Sequence, residues 1–132
     1  MDGVRGGKSF KDGLWQGFEG TDVTMTIDLG KKTSVSEFSV RFMQEISSWV
    51  FLPVRVEFYT SADGRDFFRA GVQEAAAATA QSENGPRDFT LSVPGTQARF
   101  VRMRATSILT CPSWHPGAGK KSWLFVDEIV VK

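Results

Sequence analysis

The strongest constraint in this sequence is a period-two alternation that recurs in short stretches, each closed by a turn signal. Val23-Thr24-Met25-Thr26-Ile27-Asp28-Leu29 alternates apolar and polar residues and stops at Gly30. In an extended chain successive side chains point to opposite faces, so such a stretch has one apolar and one wet face. Val35 to Phe42 repeats the pattern through Phe38, Val40 and Phe42, and Val54 to Phe58 repeats it again. Ala62-Asp63-Gly64-Arg65 reads as a turn, with the Asp-Gly pair supplying a positive φ. Phe67–Val72, Phe89–Val93 (stopped by Pro94-Gly95), Phe100–Arg104 and Val126–Val131 complete the set. About seven short strands with turns every 8–12 residues predict an antiparallel sandwich or barrel. Residues 73–81 (QEAAAATAQ) have the composition of a short helix, and the sequence leaves a helical turn and a plain loop both open. Residues 1–22 are glycine-rich without periodicity and read as an irregular lead-in. With no repeat, linker or low-complexity tail, residues 1–132 are expected to form one all-β domain.

Charge and composition narrow the function. Sixteen Lys+Arg against 15 Asp+Glu leave a formal charge of +1, which argues against nucleic acid and anionic membranes as partners. No apolar run approaches the roughly 18 residues that a membrane-spanning helix needs. The single cysteine, Cys111, excludes an internal disulfide. The single histidine, His115, excludes a multi-histidine metal site within the chain. Met1-Asp2-Gly3 is followed by no apolar stretch, so the chain is expected to carry no signal peptide of its own and to be either a mature segment or a piece of a longer protein.

The tryptophans are the informative aromatics. Phe38, Phe42, Phe58, Phe67, Phe89 and Phe100 sit on strand patterns and read as core. Trp15, Trp49, Trp114 and Trp123 lie in or beside loops, which run over the surface and carry function. An indole held on a loop can stack on the C–H face of a sugar while nearby polar groups fix its hydroxyls. Large loop aromatics also plug the open ends of sandwiches, and the sequence does not separate the two roles for any one of them.

Other chemistries find little support. Cys111 and His115 stand four apart between Pro112 and Pro116, with no third group to orient the base of a nucleophilic pair. Two such ligands are too few for zinc. Nothing in the sequence pairs the acids for glycoside hydrolysis. Gly7-Lys8-Ser9 lacks the spacing and helix context of a phosphate-binding loop.

An ordered set of segments carries a family resemblance over essentially the whole chain. These are Asp2-Gly3, Ile27-Asp28-Leu29-Gly30, Ser61-Ala62-Asp63-Gly64-Arg65-Asp66-Phe67, Ala98-Arg99-Phe100-Val101-Arg102 and Val126-Asp127-Glu128-Ile129-Val130-Val131. In that order they resemble the discoidin or coagulation-factor type C domain, a group that includes carbohydrate-binding module family 32. Asp12-Gly13-Leu14-Trp15-Gln16-Gly17-Phe18, Trp49-Val50-Phe51-Leu52-Pro53 and Cys111-Pro112-Ser113-Trp114-His115-Pro116-Gly117, with Trp123 to Ile129, look more narrowly like a domain appended to bacterial family-20 β-N-acetylhexosaminidases.

The resemblance implies an eight-stranded, jelly-roll-like β-sandwich with its ligand site in the loops at one end and catalysis in another domain. It points to Trp123, five residues before Glu128, as a sugar-stacking ring, and to the loop with Gln44 and Trp49 for further contacts. Trp114 and His115 lie in a long Pro- and Gly-rich loop that is expected either to contact ligand or to pack on the parent's catalytic domain. The galactose-binding pattern of the family uses an early-loop histidine, and this sequence has none before His115. The resemblance also implies a structural calcium held by Asp2, Ser9 and Glu128, oxygen donors of the right kind; the alternative is a turn-capping Asp2 and a solvated Glu128. The expected partners are therefore a glycan or terminal sugar and the catalytic domain of a secreted, periplasmic or surface-attached bacterial enzyme. A structural docking domain, or an adhesion or lipid-binding domain using Trp49-Val50-Phe51-Leu52, are the competing readings.

Overall fold

The computed structural model describes residues 15–132. Their strands are β1 (Gln16–Glu19), β2 (Val23–Gln44), β3 (Arg55–Ser61), β4 (Phe68–Glu74), β5 (Gly85–Thr106) and β6 (Trp123–Val131). All pair antiparallel, in the order β1-β6-β2-β5-β3-β4.

The β-sandwich arises because β2 and β5 each serve both layers. Val23–Asp28 of β2 pairs with Phe100–Ala105 of β5, and the same stretch of β5 pairs with β3. Further along, Glu37–Gln44 of β2 pairs with Gly85–Ser92 of β5 and, on its other side, with β6. One layer is thus β1-β6-β2-β5 and the other β2-β5-β3-β4. The register slips between Asp28/Thr33 and between Val35/Glu37, where the paired strands turn the corner from one layer to the other. Gly30 (φ +87) and Gly95 (φ +75) sit at this corner; nothing crowds either position, so backbone angle rather than space calls for glycine.

The core lies between the layers. Phe38, Val40 and Phe42 of β2 meet Val56 and Phe58 of β3 and Val101 and Met103 of β5, all fully buried. The rings of Phe38 and Phe58, from opposite layers, are 5.7 Å apart. Each buried Phe side chain contributes about 1.5–3 kcal/mol by leaving water. A second cluster forms on the outer face of the β1-β6-β2-β5 layer. Met43 alternates with the core-facing Phe42, and Trp123 and Phe125 alternate with Leu124 and Val126, so these side chains point outward. There Trp15, Met43 and Val50 pack with Trp123 and Phe125.

Three features differ from the sequence reading. Two pairs of short strands are single bent strands, because the corner interrupts the alternation without breaking the ladder. Gln16–Glu19, expected to be irregular, pairs with Trp123–Val126. Gly17 belongs in this strand because a Cβ there would lie 2.6 Å from Cε1 of Phe125. Residues 73–81 form no helix: β4 runs to Glu74 and a loop follows. The Asp63-Gly64 turn is present as expected, with Gly64 at φ +79.

Candidate functional site at the loop end of the sandwich

Register places the three long connections at one end. Gln44 pairs with Gly85, Arg55 with both Glu74 and Thr106, and Trp123 opens β6 beside the end of β2. Residues 45–54, 75–84 and 107–122 therefore converge.

Residues 45–54 are held tightly. A 3-10 turn covers Ile46–Ser48 and ends on Trp49, whose φ of 66 is left-handed. Glu45 and Val50 exchange both backbone hydrogen bonds, at 2.9 and 3.0 Å. The Trp123 N–H donates to Trp49 O at 2.8 Å, and the Phe51 N–H donates to Trp123 O at 3.1 Å, so this loop adds a rung to β6. Val50 and Phe51 are consequently buried and form no protruding apolar spike. Asn84 Oδ1 accepts the Ile46 N–H at 3.0 Å and ties in the 75–84 connection.

The loop spanning residues 107–122 is closed on itself. Cys111 N–H donates to Lys120 O at 2.8 Å, Gly119 N–H to Cys111 O at 3.1 Å and Ser122 N–H to Leu109 O at 3.0 Å. Its tip docks through His115, which is buried. Nδ1 of His115 accepts the Gly117 N–H at 2.9 Å, which leaves Nε2 to donate to Ile46 O at 2.7 Å. The imidazole is edge-on to Trp49, Phe51 and Trp114, with centroids 6.0, 5.5 and 5.9 Å away. Both ring nitrogens are committed to backbone groups, and burial pushes the Cys111 thiol pKa up. Neither condition suits a Cys–His nucleophile.

A groove opens between the loops. Its larger part, about 400 Å³, lies between Phe51 and Leu52 on one side and Ile108, Cys111 and Ser113 on the other, with Ala77 between them. A second part of about 350 Å³ shares Gln44, Leu52 and Ala76–Ala78 and continues past Ser82, Glu83 and Asn84 to Arg87. The lining thus mixes apolar walls with hydroxyl, amide, carboxylate and guanidinium groups, the combination typical of small-ligand pockets. Trp114 lines neither part; it follows Ser113 of the groove wall, is 37% exposed, and its ring lies 6.3 Å from that of Phe51.

The loop end therefore gathers Gln44, Trp49, Trp114 and His115. Gln44 forms part of the groove floor, but its amide is engaged: Nε2 donates to Glu83 O at 2.9 Å and Oε1 accepts the Leu52 N–H at 3.5 Å. Trp49 is half-buried against Gly117. Trp123 is half-buried too, but its ring lies in the outer cluster, 5.9 Å from Phe125. Asp2 and Ser9 fall outside the described residues. Glu128 lies within β6, and its side chain is likewise outside the description. Among the described residues, no three His, Cys, Asp or Glu side chains converge on a metal-sized site. The groove walls at Ala76–Ala78 and Ile108 were not legible as site residues, since small and aliphatic residues carry no chemical signature in sequence.

A two-layer antiparallel sandwich with a ligand-sized groove among its end loops defines a jelly-roll module. The family model for the F5/8 type C domain matches residues 2–125, and the chain belongs to that family. Among solved structures, a pectin binding carbohydrate binding module shares the fold, with a TM-score of 0.51 at 13% identity over 98% of this chain and 87% of that one. A CBM32 module from Clostridium perfringens in complex with GalNAc-β-1,3-galactose aligns with a TM-score of 0.48 at 18% identity, over 80% of this chain and 65% of that one. The C-terminal domain of a chitobiase from Bacteroides fragilis aligns at 0.49 and 14%, over 85% of this chain and 66% of that one. The chain thus spans just under two-thirds of the length of those last two. No curated protein matches it. Among the described residues, no helix is long and apolar enough to cross a membrane.

Proposed function

We propose that this domain is a non-catalytic carbohydrate-binding module that captures a glycan or terminal sugar in the loop-end groove. The observation that carries the reading is the exposed indole of Trp114 on the loop whose neighbouring residues Cys111, Pro112 and Ser113 line an open groove with mixed apolar and polar walls. The indole offers a flat apolar face to the C–H side of a pyranose, and the groove-lining hydroxyls of Ser113 and Thr110 offer hydrogen-bond partners to its hydroxyls. His115 and Trp49 act behind Trp114, fixing the loop that presents it. Membership in the type C family and a fold shared with a pectin-binding module support the same reading. Trp123, in the outer cluster, is a separate stacking surface in this proposal.

The parent is proposed to be a secreted bacterial glycoside hydrolase of the β-N-acetylhexosaminidase type, whose catalytic domain the module keeps near its glycan. Single-site affinity is then weak, and retention comes from tethering. Isothermal titration with N-acetylglucosamine, N-acetylgalactosamine and galactose oligosaccharides tests the proposal. Trp114→Ala is expected to weaken binding at least tenfold while leaving the melting temperature nearly unchanged; equal binding by both proteins overturns it.

A structural calcium at Asp2, Ser9 and Glu128 belongs to the same proposal. Millimolar calcium is expected to raise the melting temperature, and Glu128→Gln to abolish the response. An unchanged melting curve with calcium or chelator counts against the metal.

One observation favours a second reading, docking against the parent's catalytic domain. Leu109 is 46% exposed in the same loop as Trp114, and an apolar pair at one end is what a neighbouring domain would cover. Concentration-dependent sedimentation of the isolated domain, lost in Leu109→Ser, supports docking; a monomer at all concentrations opposes it.

A further inference from the structure

The solvent face of the β2-β5-β3-β4 layer carries a second hollow that shares no lining residue with the loop-end groove. On β5, Val101, Met103 and Ala105 point into the core, so Arg102 and Arg104 point outward. Arg102 pairs in register with Thr26 and Tyr59, and Arg104 with Thr24 and Glu57. Thr24, Tyr59, Phe67, Arg102 and Arg104 enclose about 250 Å³.

The charges in this hollow are unevenly met. Glu57 is compensated from two sides: Arg69 Nη1 lies at 3.4 Å and Arg55 Nε at 3.7 Å. Tyr59 donates its hydroxyl proton to Glu57 at 2.9 Å, which keeps the phenol protonated. Asp22 takes Arg104 at 3.4 Å and the Ser107 N–H at 2.9 Å. Arg102 has no carboxylate partner among the described residues. Its guanidinium lies 3.8 Å from the centroid of Phe67, and its Nε donates to Thr26 Oγ1 at 3.0 Å. Ring and hydroxyl together fix the plane of the group and leave its terminal N–H edge unclaimed. A pre-oriented guanidinium with a free edge suits a planar or tetrahedral oxyanion.

We propose that this hollow is a second glycan contact, selective for an acidic sugar residue whose carboxylate or sulfate sits on Arg102 and Arg104 while its ring lies along Tyr59. The inference does not rest on the loop-end site, and the two fail separately.

Isothermal titration with tetragalacturonate, N-acetylgalactosamine 6-sulfate, galactotetraose and inorganic sulfate tests it, with the first two separating a carboxylate from a sulfate source. At least one acidic sugar is expected to bind tenfold or more tighter than galactotetraose and inorganic sulfate. Arg102→Ala is expected to remove that margin, Arg102→Lys to keep part of it, and Arg99→Ala and Trp114→Ala to keep it all. Arg99 serves as the charge control because it is paired with Asp28 at 3.0 Å. Should Arg102→Ala fail to fold, amide shift mapping on the wild-type protein decides, with perturbations expected around Tyr59, Arg102 and Arg104. No preference for acidic sugars, equal binding of inorganic sulfate, an unaffected Arg102→Ala, or shifts confined to the loop end each overturn the proposal.

Discussion

His115 donates from Nε2 to the carbonyl of Ile46 across 2.7 Å, and that bond joins two loops far apart in sequence. Because Nδ1 also accepts the Gly117 N–H, removing the imidazole strips the Gly117 N–H of its acceptor, leaves Ile46 O with the Trp49 N–H alone at 3.0 Å, and opens a gap among three aromatic rings. His115→Ala is expected to cost about 2–4 kcal/mol in urea unfolding. It is also expected to increase the solvent exposure of Trp114 without touching the layers of the sandwich. A cost below about 0.5 kcal/mol contradicts the structural role.

The Trp49 indole packs against Gly117 so closely that a Cβ would lie 2.8 Å from both Cε2 and Cζ2. Gly117→Ala is expected to destabilise by about 1–3 kcal/mol through overpacking. In a Trp49→Ala background the same change is expected to be nearly neutral, since the opposing ring is gone. A double-mutant cycle by chemical denaturation reads this coupling; additive effects would show that the two positions do not press on each other.

Asp63 holds the turn after β3 through Oδ1, which accepts the N–H groups of Arg65 at 2.8 Å and Asp66 at 3.0 Å. The backbone bonds to Asp66 and Arg65, then the Ser61 hydroxyl, lower its pKa below the ordinary 3.8. A carboxylate depressed on folding stabilises fully above its unfolded value and loses that contribution as pH falls through the folded one. Glu57 is also depressed, by the Tyr59 hydroxyl first and Arg69 next. Melting temperature is therefore expected to hold above the ordinary carboxylate range and fall progressively below it. Asp63→Asn keeps an acceptor oxygen but cannot titrate, so its acid limb is expected to be shallower; an identical limb excludes Asp63 as a contributor.

The strand set was legible because alternation survives in each half of the bent strands, as in Val23–Leu29 and Phe38–Phe42. Their continuity was not, because the corner near Gly30 and Gly95 looks in sequence like the end of a hairpin. Strand β1 was hidden by Gly17, whose presence only the Phe125 ring explains. Of the four loop tryptophans, Trp49 and Trp114 lie where the long connections converge, and Trp15 and Trp123 lie in the outer-face cluster. Their individual roles were not legible: Trp49 and Trp114 share a four-ring cluster with Phe51 and His115, while Trp123 falls on the outer face through the alternation of β6. His115 carried no sequence sign of burial, since its partners are backbone groups supplied by two loops.

Amide and indole N–H shift mapping during titration with a β-linked N-acetylhexosamine oligosaccharide tests the central claim most directly. Saturable perturbations are expected at the Trp114 indole, Ser113 and Asn84, with Trp114→Ala losing them and remaining folded. Shifts absent at saturating sugar, or confined to surfaces away from residues 107–122, would contradict glycan capture at the loop end.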